Sequence, residues 1–284
     1  VQGMMVGMAV GDALGYRDEF SQPDDLLEKY GLLGVCDPMK DDETGAFLYT
    51  DDTQMAVALA QGLLRVQDYE NYTGVREEFI TWHDMQYQPK FNRGPGNACM
   101  AGCRAMSRGQ AWYTSGGPDA KGSGSLMRVF PVGALYRDNL DALIAVSADQ
   151  SMMTHRHPTA VLAAVLGAYS VALLLNNQPP DETLVEKCLE LAARWPKTNG
   201  EIVAILHKLQ FALANNDDPY TVSESLGSGW IAEEALAIGL WSLVNNPIDH
   251  AAVIRRAVNF PGRDGSCDRD TVGAIAGAFA GAVV

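Results

Sequence analysis

Apolar residues recur at helical spacing along almost the whole chain, and the alternation typical of β-strands is scarce. The helical pattern is clearest in these stretches: Gly3–Leu14, Asp52–Val66, Val75–Met85, Leu140–Ala148, Ala160–Leu175, Asp181–Arg194, Glu201–Leu213, Ile231–Val244 and Thr271–Val283. Segments rich in Gly, Pro, Asn, Asp and Ser separate them. None is long or polar enough to divide the chain. The pattern therefore predicts an all-α fold, with residues 1–284 forming one domain.

Glycine stands at every fourth position in the first and last predicted helices. The stripes consist of Gly3, Gly7, Gly11 and Gly15 in the first helix, and of Gly273, Gly277 and Gly281 in the last. Each glycine in a helix interior costs about 1 kcal/mol relative to alanine. A sequence that accepts this loss of helix stability at several positions indicates that the backbone of another helix approaches closely at the glycines. We therefore expect the first and last helices to be central, and to contact each other.

Composition narrows the class of protein. The 284 residues are 47% hydrophobic and 20% charged, as in an ordinary globular protein. Asp and Glu number 35 against 21 Lys and Arg, so the formal net charge is −14. Such a surface repels phosphates at long range, which argues against a general nucleic-acid binder. No stretch is expected to reach the roughly 18 apolar residues that a membrane span needs.

The cysteines and the N-terminal segment bear on the compartment. The five cysteines are an odd number without metal-finger spacing, which favours reduced structural thiols. Asp12 interrupts the apolar N-terminal run, and no basic segment precedes it, so a signal peptide is not predicted. We expect a cytoplasmic protein. The chain begins without Met and stops inside an apolar run, which leaves open that residues are missing at either end.

Two acidic motifs stand directly ahead of predicted helices. One has Asp51 and Asp52 beside a threonine, and the other has Asp268 and Asp270, again with a threonine. Each motif alone can be read as helix capping, because acids in a first turn interact well with the helix dipole. If the two motifs face each other, four carboxylates share a small volume, and divalent cations are one way to offset the repulsion. Oxygen ligands favour Mg²⁺ or Mn²⁺ over Zn²⁺, and four carboxylates suffice for two ions.

Further short motifs accompany the acidic pair in order along the chain. They are Gly11-Asp12-Ala13-Leu14-Gly15 with Glu19-Phe20, Thr50-Asp51-Asp52-Thr53, Gly96-Asn97-Ala98-Cys99, Gly122-Ser123-Gly124-Ser125-Leu126-Met127-Arg128, Thr154-His155-Arg156-His157-Pro158, Gly229-Trp230-Ile231-Ala232-Glu233-Glu234, and Asp268-Arg269-Asp270-Thr271 with Gly273-Ala274-Ile275-Ala276-Gly277. Together they resemble the ADP-ribosylglycohydrolase family, which includes dinitrogenase reductase-activating glycohydrolases and ADP-ribosyl-arginine and ADP-ribosyl-serine hydrolases. Each motif is weak alone, but the ordered set is highly specific.

The resemblance implies a compact orthogonal multi-helix bundle and a hydrolase with a two-metal centre, holding Mg²⁺ or Mn²⁺. The metal ligands that it implies are Thr50, Asp51, Asp52, Asp268, Asp270 and Thr271. The catalytic residues that it implies are Glu19, Asp51, Asp52 and Asp270. It also implies that these residues bind substrate: Gly96, Asn97, Gly122, Ser123, Gly124, Ser125, His155 and Trp230. Within that set, the glycine-rich loop would wrap the ADP-ribose diphosphate, and Trp230 would stack on adenine.

Alternatives remain open for several of these residues. Glu19 can also be read as a solvated acid, the glycine-rich loop as a plain turn, and Trp230 as a core side chain. The sequence Arg93-Gly94-Pro95-Gly96 has no acid where some relatives have an aspartate proposed as a base. The base would then be Glu19, a ligand aspartate or a metal-bound hydroxide. His157, Trp82 and Trp241 are interpreted as structural.

The function predicted on these grounds is hydrolysis of the bond between ADP-ribose and a modified protein side chain, with arginine as the first expectation. The partners expected are an ADP-ribosylated protein or ADP-ribose, with no nucleic acid and no membrane. One alternative is an immunity or inhibitor protein that reverses or blocks a cognate ADP-ribosyltransferase. Others are a binding protein that has lost turnover, and a hydrolase of a free ADP-ribose derivative such as an O-acyl ester.

Overall fold

The computed structural model describes residues 1–66, 68, 70–245 and 247–283 of the protein. Within these ranges the chain forms fifteen α-helices and no β-sheet, so the all-α prediction is confirmed. The helices are α1 Gln2–Gly15, α2 Pro23–Tyr30, α3 Asp51–Val66, α4 Thr73–Met85, α5 Asn97–Ser107, α6 Trp112–Ser115, α7 Phe130–Leu135, α8 Leu140–Met152, α9 Pro158–Leu175, α10 Glu182–Ala192, α11 Gly200–Asn215, α12 Pro219–Leu226, α13 Ala232–Val244, α14 His250–Val258 and α15 Arg269–Ala282. Short 3₁₀ turns add Tyr16–Asp18, Gly31–Leu33 and Ser123–Ser125.

Every long helix predicted from apolar spacing is present, with ends that differ by at most a few residues. The helices that the spacing did not predict are α2, α5, α6, α7, α12 and α14, which have eleven residues or fewer. Several begin at local signals instead. Asp218 caps α12 by accepting hydrogen bonds from the backbone N–H groups of Tyr220 and Thr221, and Asp249 caps α14 through Ala252.

Helices α1 and α15 pack against each other along their glycine stripes, as predicted. A Cβ built on Gly3 would lie 2.6 Å from the carbonyl oxygen of Gly281. Gly7 faces Gly277 and Gly11 faces Gly273 at still closer range, so the two helices run antiparallel. No side chain fits between them. The C-terminal end of α1 therefore lies beside the N-terminal end of α15, where Gly15 contacts the backbone of Arg269.

Helix α9 contradicts the expectation that no stretch of the chain is long and apolar enough to span a membrane. Its eighteen residues, Pro158–Leu175, have a mean hydropathy of 2.0, so by length and composition this helix could cross a membrane. The prediction that no stretch reaches that length is therefore wrong. In the structure 78% of α9 is buried, and α9 packs against α7, α8 and α13. A helix that is apolar on all sides is also what the core of a large helical protein requires.

One connected apolar core runs from Met4 in α1 to Ala282 in α15 and includes residues of α3, α9 and α13. Helix α15 is buried within this core, where α13 and α14 both pack on it, whereas α1 keeps one face, with Val6 and Val10, exposed. The N-terminal ends of α3 and α15 meet at one end of the pair. Because acids stand at both of these N-terminal ends, the packing of the apolar core also determines where the acids lie.

Gly7→Ala tests the close contact of α1 with α15. A Cβ at Gly7 would overlap the carbonyl oxygen of Gly277, so we expect a loss of about 1–3 kcal/mol in the free energy of unfolding despite the better helix propensity of alanine. The matched control is Gly200→Ala, where a Cβ would have nothing within 4 Å. Urea unfolding should show the control to be neutral or slightly stabilised. Equal effects of the two substitutions would contradict the packing.

Candidate active site

The two acidic motifs meet at one end of the α1–α15 pair. Asp51 and Asp52 occupy the first turn of α3, and Asp270 occupies the first turn of α15, with Asp268 immediately before it. All four side chains are buried, with 2–5% of their surface exposed. They line one cleft with an empty volume of about 660 Å³. The predicted approach of two motifs more than 200 residues apart is therefore present in the structure.

Hydrogen bonds hold each carboxylate in a defined orientation. Asp51 Oδ2 accepts from the backbone N–H of Gly96 at 3.0 Å, and Asp268 Oδ2 accepts from the hydroxyl of Ser123 at 3.1 Å. Asp52 Oδ2 accepts from the hydroxyl of Thr50 at 3.2 Å. Its other oxygen, Oδ1, is buried and has no hydrogen-bond partner among the described residues. A buried carboxylate oxygen without a partner is costly unless a proton or a cation satisfies it.

Asp12 of α1 is a buried acid that the prediction did not include in the site. Its side chain is fully buried, and its two oxygens accept from the backbone N–H groups of Thr50 and Thr53, at 2.8 and 3.0 Å, and from the Thr53 hydroxyl. Asp12 therefore caps α3 from a different helix, and ties α1 to α3. The available signal was a lone acid within the apolar, glycine-striped first helix, which is a strong indication of a specific partner.

Glu19 lies at the mouth of the cleft. One side-chain oxygen each of Glu19, Asp268 and Asp270 lies within 4.8 Å of the others, a spacing that could hold a metal ion. The turn that carries Glu19 is anchored on both sides. Asp18 accepts hydrogen bonds from Lys29 and Tyr30, and Arg269 donates to the carbonyl oxygen of Ser21. The reading of Glu19 as a merely solvated acid is therefore not supported by its position.

The crowding of acids raises their pKa values. Burial, followed by the charge of Asp270, raises the pKa of Asp12 to about 7. Burial is also the largest cause for Asp51, whose pKa rises to about 8, and for Glu19, whose pKa rises to about 9. The same causes place the pKa values of Asp52 and Asp268 well above the ordinary range. A set of acids with raised pKa values in one cleft is characteristic of functional sites.

Beside the acids, the cleft is lined by small residues and an imidazole. Gly122, Ser123 and Gly124 line it together with His155. A Cβ at Gly124 would lie 2.7 Å from His155 Cε1 and 2.8 Å from Cys99 Sγ, so only glycine fits there without displacing neighbours. An isolated bridge between Gly122 and Ile231 holds the loop to the start of α13. Its backbone thus approaches the cleft without side chains in the way.

The remaining predicted residues fall into two groups. Gly96, Asn97, Trp230 and Thr271 line the cleft. Trp230 is half-buried and stacks on Phe20, with ring centroids 5.7 Å apart and an interplanar angle of 14°. The second group does not line the cleft, and consists of Thr50 and Ser125. Both are buried: Thr50 bonds to Asp52, while Ser125 accepts from the hydroxyl of Ser151.

Comparison with known proteins assigns the family. A model of the ADP-ribosylglycohydrolase family matches residues 1–284, so the chain belongs to this family. The resemblance found in the sequence motifs is therefore confirmed. A solved structure titled "ADP-ribosylglycohydrolase-related protein complex" has the same fold, with a TM-score of 0.72 and 24% identity over 99% of this chain and 85% of that one.

Individual relatives agree with the family assignment. ADP-ribosyl-[dinitrogen reductase] glycohydrolase of Rhodospirillum rubrum is 27% identical over 99% of this chain and 84% of its own. ADP-ribosylarginine hydrolase Tri1 of Serratia proteamaculans is 25% identical over 99% of this chain and 71% of its own. An uncharacterised protein of Archaeoglobus fulgidus is 26% identical over 98% and 85%. The protein is accordingly an enzyme of the ADP-ribosyl glycohydrolase class.

The raised pKa values predict how the metal-free protein responds to pH. Asp12, Asp51 and Glu19 hold protons in the folded state up to about pH 7, 8 and 9, whereas in the unfolded chain they lose them near pH 4. Folding therefore binds protons between these limits, and stability falls as pH rises through them. With a chelator present, we expect the melting temperature to drop by about 5 °C or more between about pH 6 and pH 9.

Asp51→Asn provides the comparison for this pH dependence, because it removes one of the groups with a raised pKa. The variant should show a shallower fall in melting temperature over the same range. Glu186→Gln, an exposed acid on α10, should leave the slope unchanged. A melting temperature that rises toward alkaline pH in the chelated wild type would show that these acids are not held protonated.

Proposed function

We propose that the protein is a divalent-metal-dependent hydrolase that releases ADP-ribose from ADP-ribosylated arginine side chains. The observation that carries this proposal is the meeting of four buried aspartates, from two helix N-terminal ends, in a cleft that is also lined by a glycine-rich loop. The acids suit cations, and the loop suits a phosphorylated ligand. The relatives named for hydrolysis of ADP-ribosylarginine, from Serratia proteamaculans and Pseudomonas putida, support arginine as the linkage.

The residues of the cleft fit divalent cations. Every candidate ligand offers oxygen, which favours Mg²⁺ or Mn²⁺. Asp52 Oδ1, buried and without a partner, is an oxygen that a cation would satisfy. We propose two ions, and the residues that would hold them are Asp51, Asp52, Asp268, Asp270 and Thr271, which line the cleft, together with Thr50, which is hydrogen-bonded to Asp52 directly beside it. Bound there, divalent cations would supply Lewis acidity that lowers the pKa of water and orients sugar oxygens.

Glu19 is the residue we assign to proton transfer. The Arg93-Gly94-Pro95-Gly96 segment offers no acid, and the aspartates are committed to hydrogen bonds and to cations. The pKa of Glu19 is raised by burial and by the charges of Asp270 and Asp51. Cations that neutralise these two charges would lower the pKa of Glu19 toward neutral pH. A carboxylate with such a pKa both accepts and returns a proton efficiently. Glu19 would take a proton from the water that attacks the anomeric carbon and return it to the guanidino nitrogen that leaves as the C–N glycosidic bond breaks, which gives ADP-ribose and arginine.

The loop and the aromatic residues would bind the rest of the ligand. Backbone N–H groups at Gly122 and Gly124 can approach a diphosphate closely because these two residues have no Cβ. The Gly96 N–H already donates to Asp51, but Asn97, the first residue of α5, offers a further backbone donor at the positive end of the helix dipole. Trp230, stacked on Phe20, would present a ring at the cleft to the adenine.

Asp270→Asn tests the proposed metal centre. We expect release of ADP-ribose from an arginine-modified protein to fall about 100-fold or more, since an interaction of several kcal/mol with a cation is lost. Chelator should abolish the wild-type activity, and Mg²⁺ or Mn²⁺ should restore it. Glu186→Gln on α10 is the control and should keep full activity. Equal release with and without chelator would exclude metal dependence.

A substrate panel separates the linkages. ADP-ribosylated arginine, ADP-ribosylserine and O-acetyl-ADP-ribose should be compared under the same conditions with Mg²⁺ and with Mn²⁺. We expect the highest kcat/KM with the arginine linkage. A preference for the O-acetyl substrate would instead indicate a free ADP-ribose derivative as substrate.

The proposed immunity or inhibitor role stays a prediction, as does the cytoplasmic location. Inhibition of an ADP-ribosyltransferase by an Asp52→Ala variant that lacks hydrolase activity would identify a blocking role that is separate from turnover. Loss of protection together with loss of hydrolysis would assign any such role to the active site alone.

A further inference from the structure

Arg128 is a buried cation that the proposed mechanism does not use. Its side chain has no exposed surface, and within the described residues no carboxylate lies at ion-pair distance from it. Its partners are neutral: Nε donates to Gln150 Oε1, and Nη2 donates to the carbonyl oxygen of Gln150 and to the hydroxyl oxygen of Thr154, all at 2.8 Å. The guanidinium also lies over the ring of Phe79. A buried cation without an anion is costly and calls for a reason.

The hydroxyl of Thr154 links this cation to His155. Thr154 Oγ1 lies 2.8 Å from Arg128 Nη2 and 2.8 Å from His155 Nδ1. Arginine can only donate, so the hydroxyl oxygen accepts from Arg128, and its single proton is free to point at Nδ1. Nδ1 is then the acceptor in this pair. A neutral imidazole that accepts at Nδ1 carries its proton on Nε2.

The other protonation states of His155 fit less well. If Nδ1 carried a proton, the Thr154 hydroxyl would be left to donate to the sulfur of Cys99, which is a weak acceptor. A doubly protonated ring would place a second buried cation beside Arg128. Burial, and then the charge of Arg128, lowers the pKa of His155 to about 3, so the ring stays neutral through the physiological range.

His155 lines the cleft together with Gly122 and Gly124. A Cβ on Gly122 would lie 3.6 Å from Nε2, and one on Gly124 would lie 3.2 Å from it, so this nitrogen lies beside the glycine-rich loop in the cleft wall. No hydrogen bond from Nε2 to any described residue is present. An N–H at this position is available to an oxygen of a ligand held by the loop.

We propose that Arg128 and Thr154 are positioning residues that fix His155 as a neutral Nε2–H donor to an oxygen of bound ADP-ribose. The chain of donors runs from the guanidinium through the hydroxyl to the imidazole, and each bond polarises the next. The effect of a positive charge thus reaches the cleft while the cation itself stays buried. The ligand in this inference rests on the proposed function, whereas the protonation state of His155 does not.

This assignment excludes two other roles for His155. A ring that keeps its only proton on Nε2 has no free nitrogen facing the cleft, so it cannot bind a metal there. For the same reason it cannot act as the base that takes a proton from water. His155 instead contributes to affinity and orientation.

Nitrogen NMR of the ¹⁵N-histidine-labelled full chain, with Mg²⁺ present, measures the protonation state directly. We expect Nδ1 of His155 to show the shift of an unprotonated nitrogen and Nε2 that of a protonated one. Neither should change across the range around the ordinary histidine pKa of about 6.5. A proton on Nδ1, or titration near pH 6.5, would overturn the proposal whether or not the protein hydrolyses ADP-ribose.

Thr154→Val and Thr154→Ser separate positioning from packing. Valine keeps the shape but removes the hydroxyl, so His155 should populate both neutral tautomers, and the Kd for ADP-ribose should rise about five- to tenfold. Serine keeps the hydroxyl and should restore both readouts. Ser170→Ala removes a buried hydroxyl of α9 that donates only within the core, and should change neither. Circular dichroism checks folding of each variant.

The outcomes of these measurements are distinguishable. If the wild-type ring has the predicted tautomer and ADP-ribose does not bind, the hydrogen-bond chain from Arg128 through Thr154 to His155 is supported and the proposed ligand is wrong. If Thr154→Val folds and keeps both the wild-type tautomer and the wild-type Kd, Thr154 is not a positioning residue. If Thr154→Val does not fold, the wild-type spectrum and Thr154→Ser still decide the tautomer.

Discussion

Helices α1 and α15 run antiparallel, with glycines of one facing backbone carbonyl groups of the other, and this contact determines where the chemistry lies. Because no side chain separates them, the end of α1 that carries Asp12 lies beside the start of α15, which carries Asp270. Asp12 in turn caps α3 and brings Asp51 and Asp52 to the same place. Close backbone packing in the core thus assembles a polar site at its end.

The buried acids of the site lower the stability of the fold. Asp12, Glu19 and the four motif aspartates are buried near one another, and burial together with mutual repulsion raises their pKa values. Hydrogen bonds from Gly96, Ser123 and Thr50 offset only part of that cost, since Asp52 Oδ1 has none. A proton or a cation must supply the rest. An arrangement that is unfavourable when empty is well suited to binding divalent ions.

Periodic features of the sequence predicted more of this structure than isolated ones did. The glycine stripes predicted the α1–α15 contact. Glycine at every fourth position lowers helix stability each time, which is expected only if another backbone packs against each of those positions. The paired acids ahead of two helices predicted a cleft only together with the family resemblance, because nothing in the two motifs themselves shows that they face each other. The roles of Asp12 and Arg128 were not predicted. The partners of a single buried charge, such as Thr53 for Asp12 and Gln150 for Arg128, are distant in sequence and become visible only in the structure. The short helices α7 and α12 were not predicted, because so few residues do not show the helical spacing of apolar positions.

The overall charge of −14 is compatible with an anionic ligand because the cleft is not uniform. Its acids would be neutralised by cations, and it is also lined by the glycine-rich loop and the His155 imidazole, which would supply neutral donors. Placing Arg128 behind that imidazole, rather than in the cleft, avoids an ion pair between the guanidinium and Asp51 or Asp270, which would compete with metal binding. A buried cation acting through neutral donors would therefore allow the same small cleft to hold both the proposed divalent ions and the proposed diphosphate.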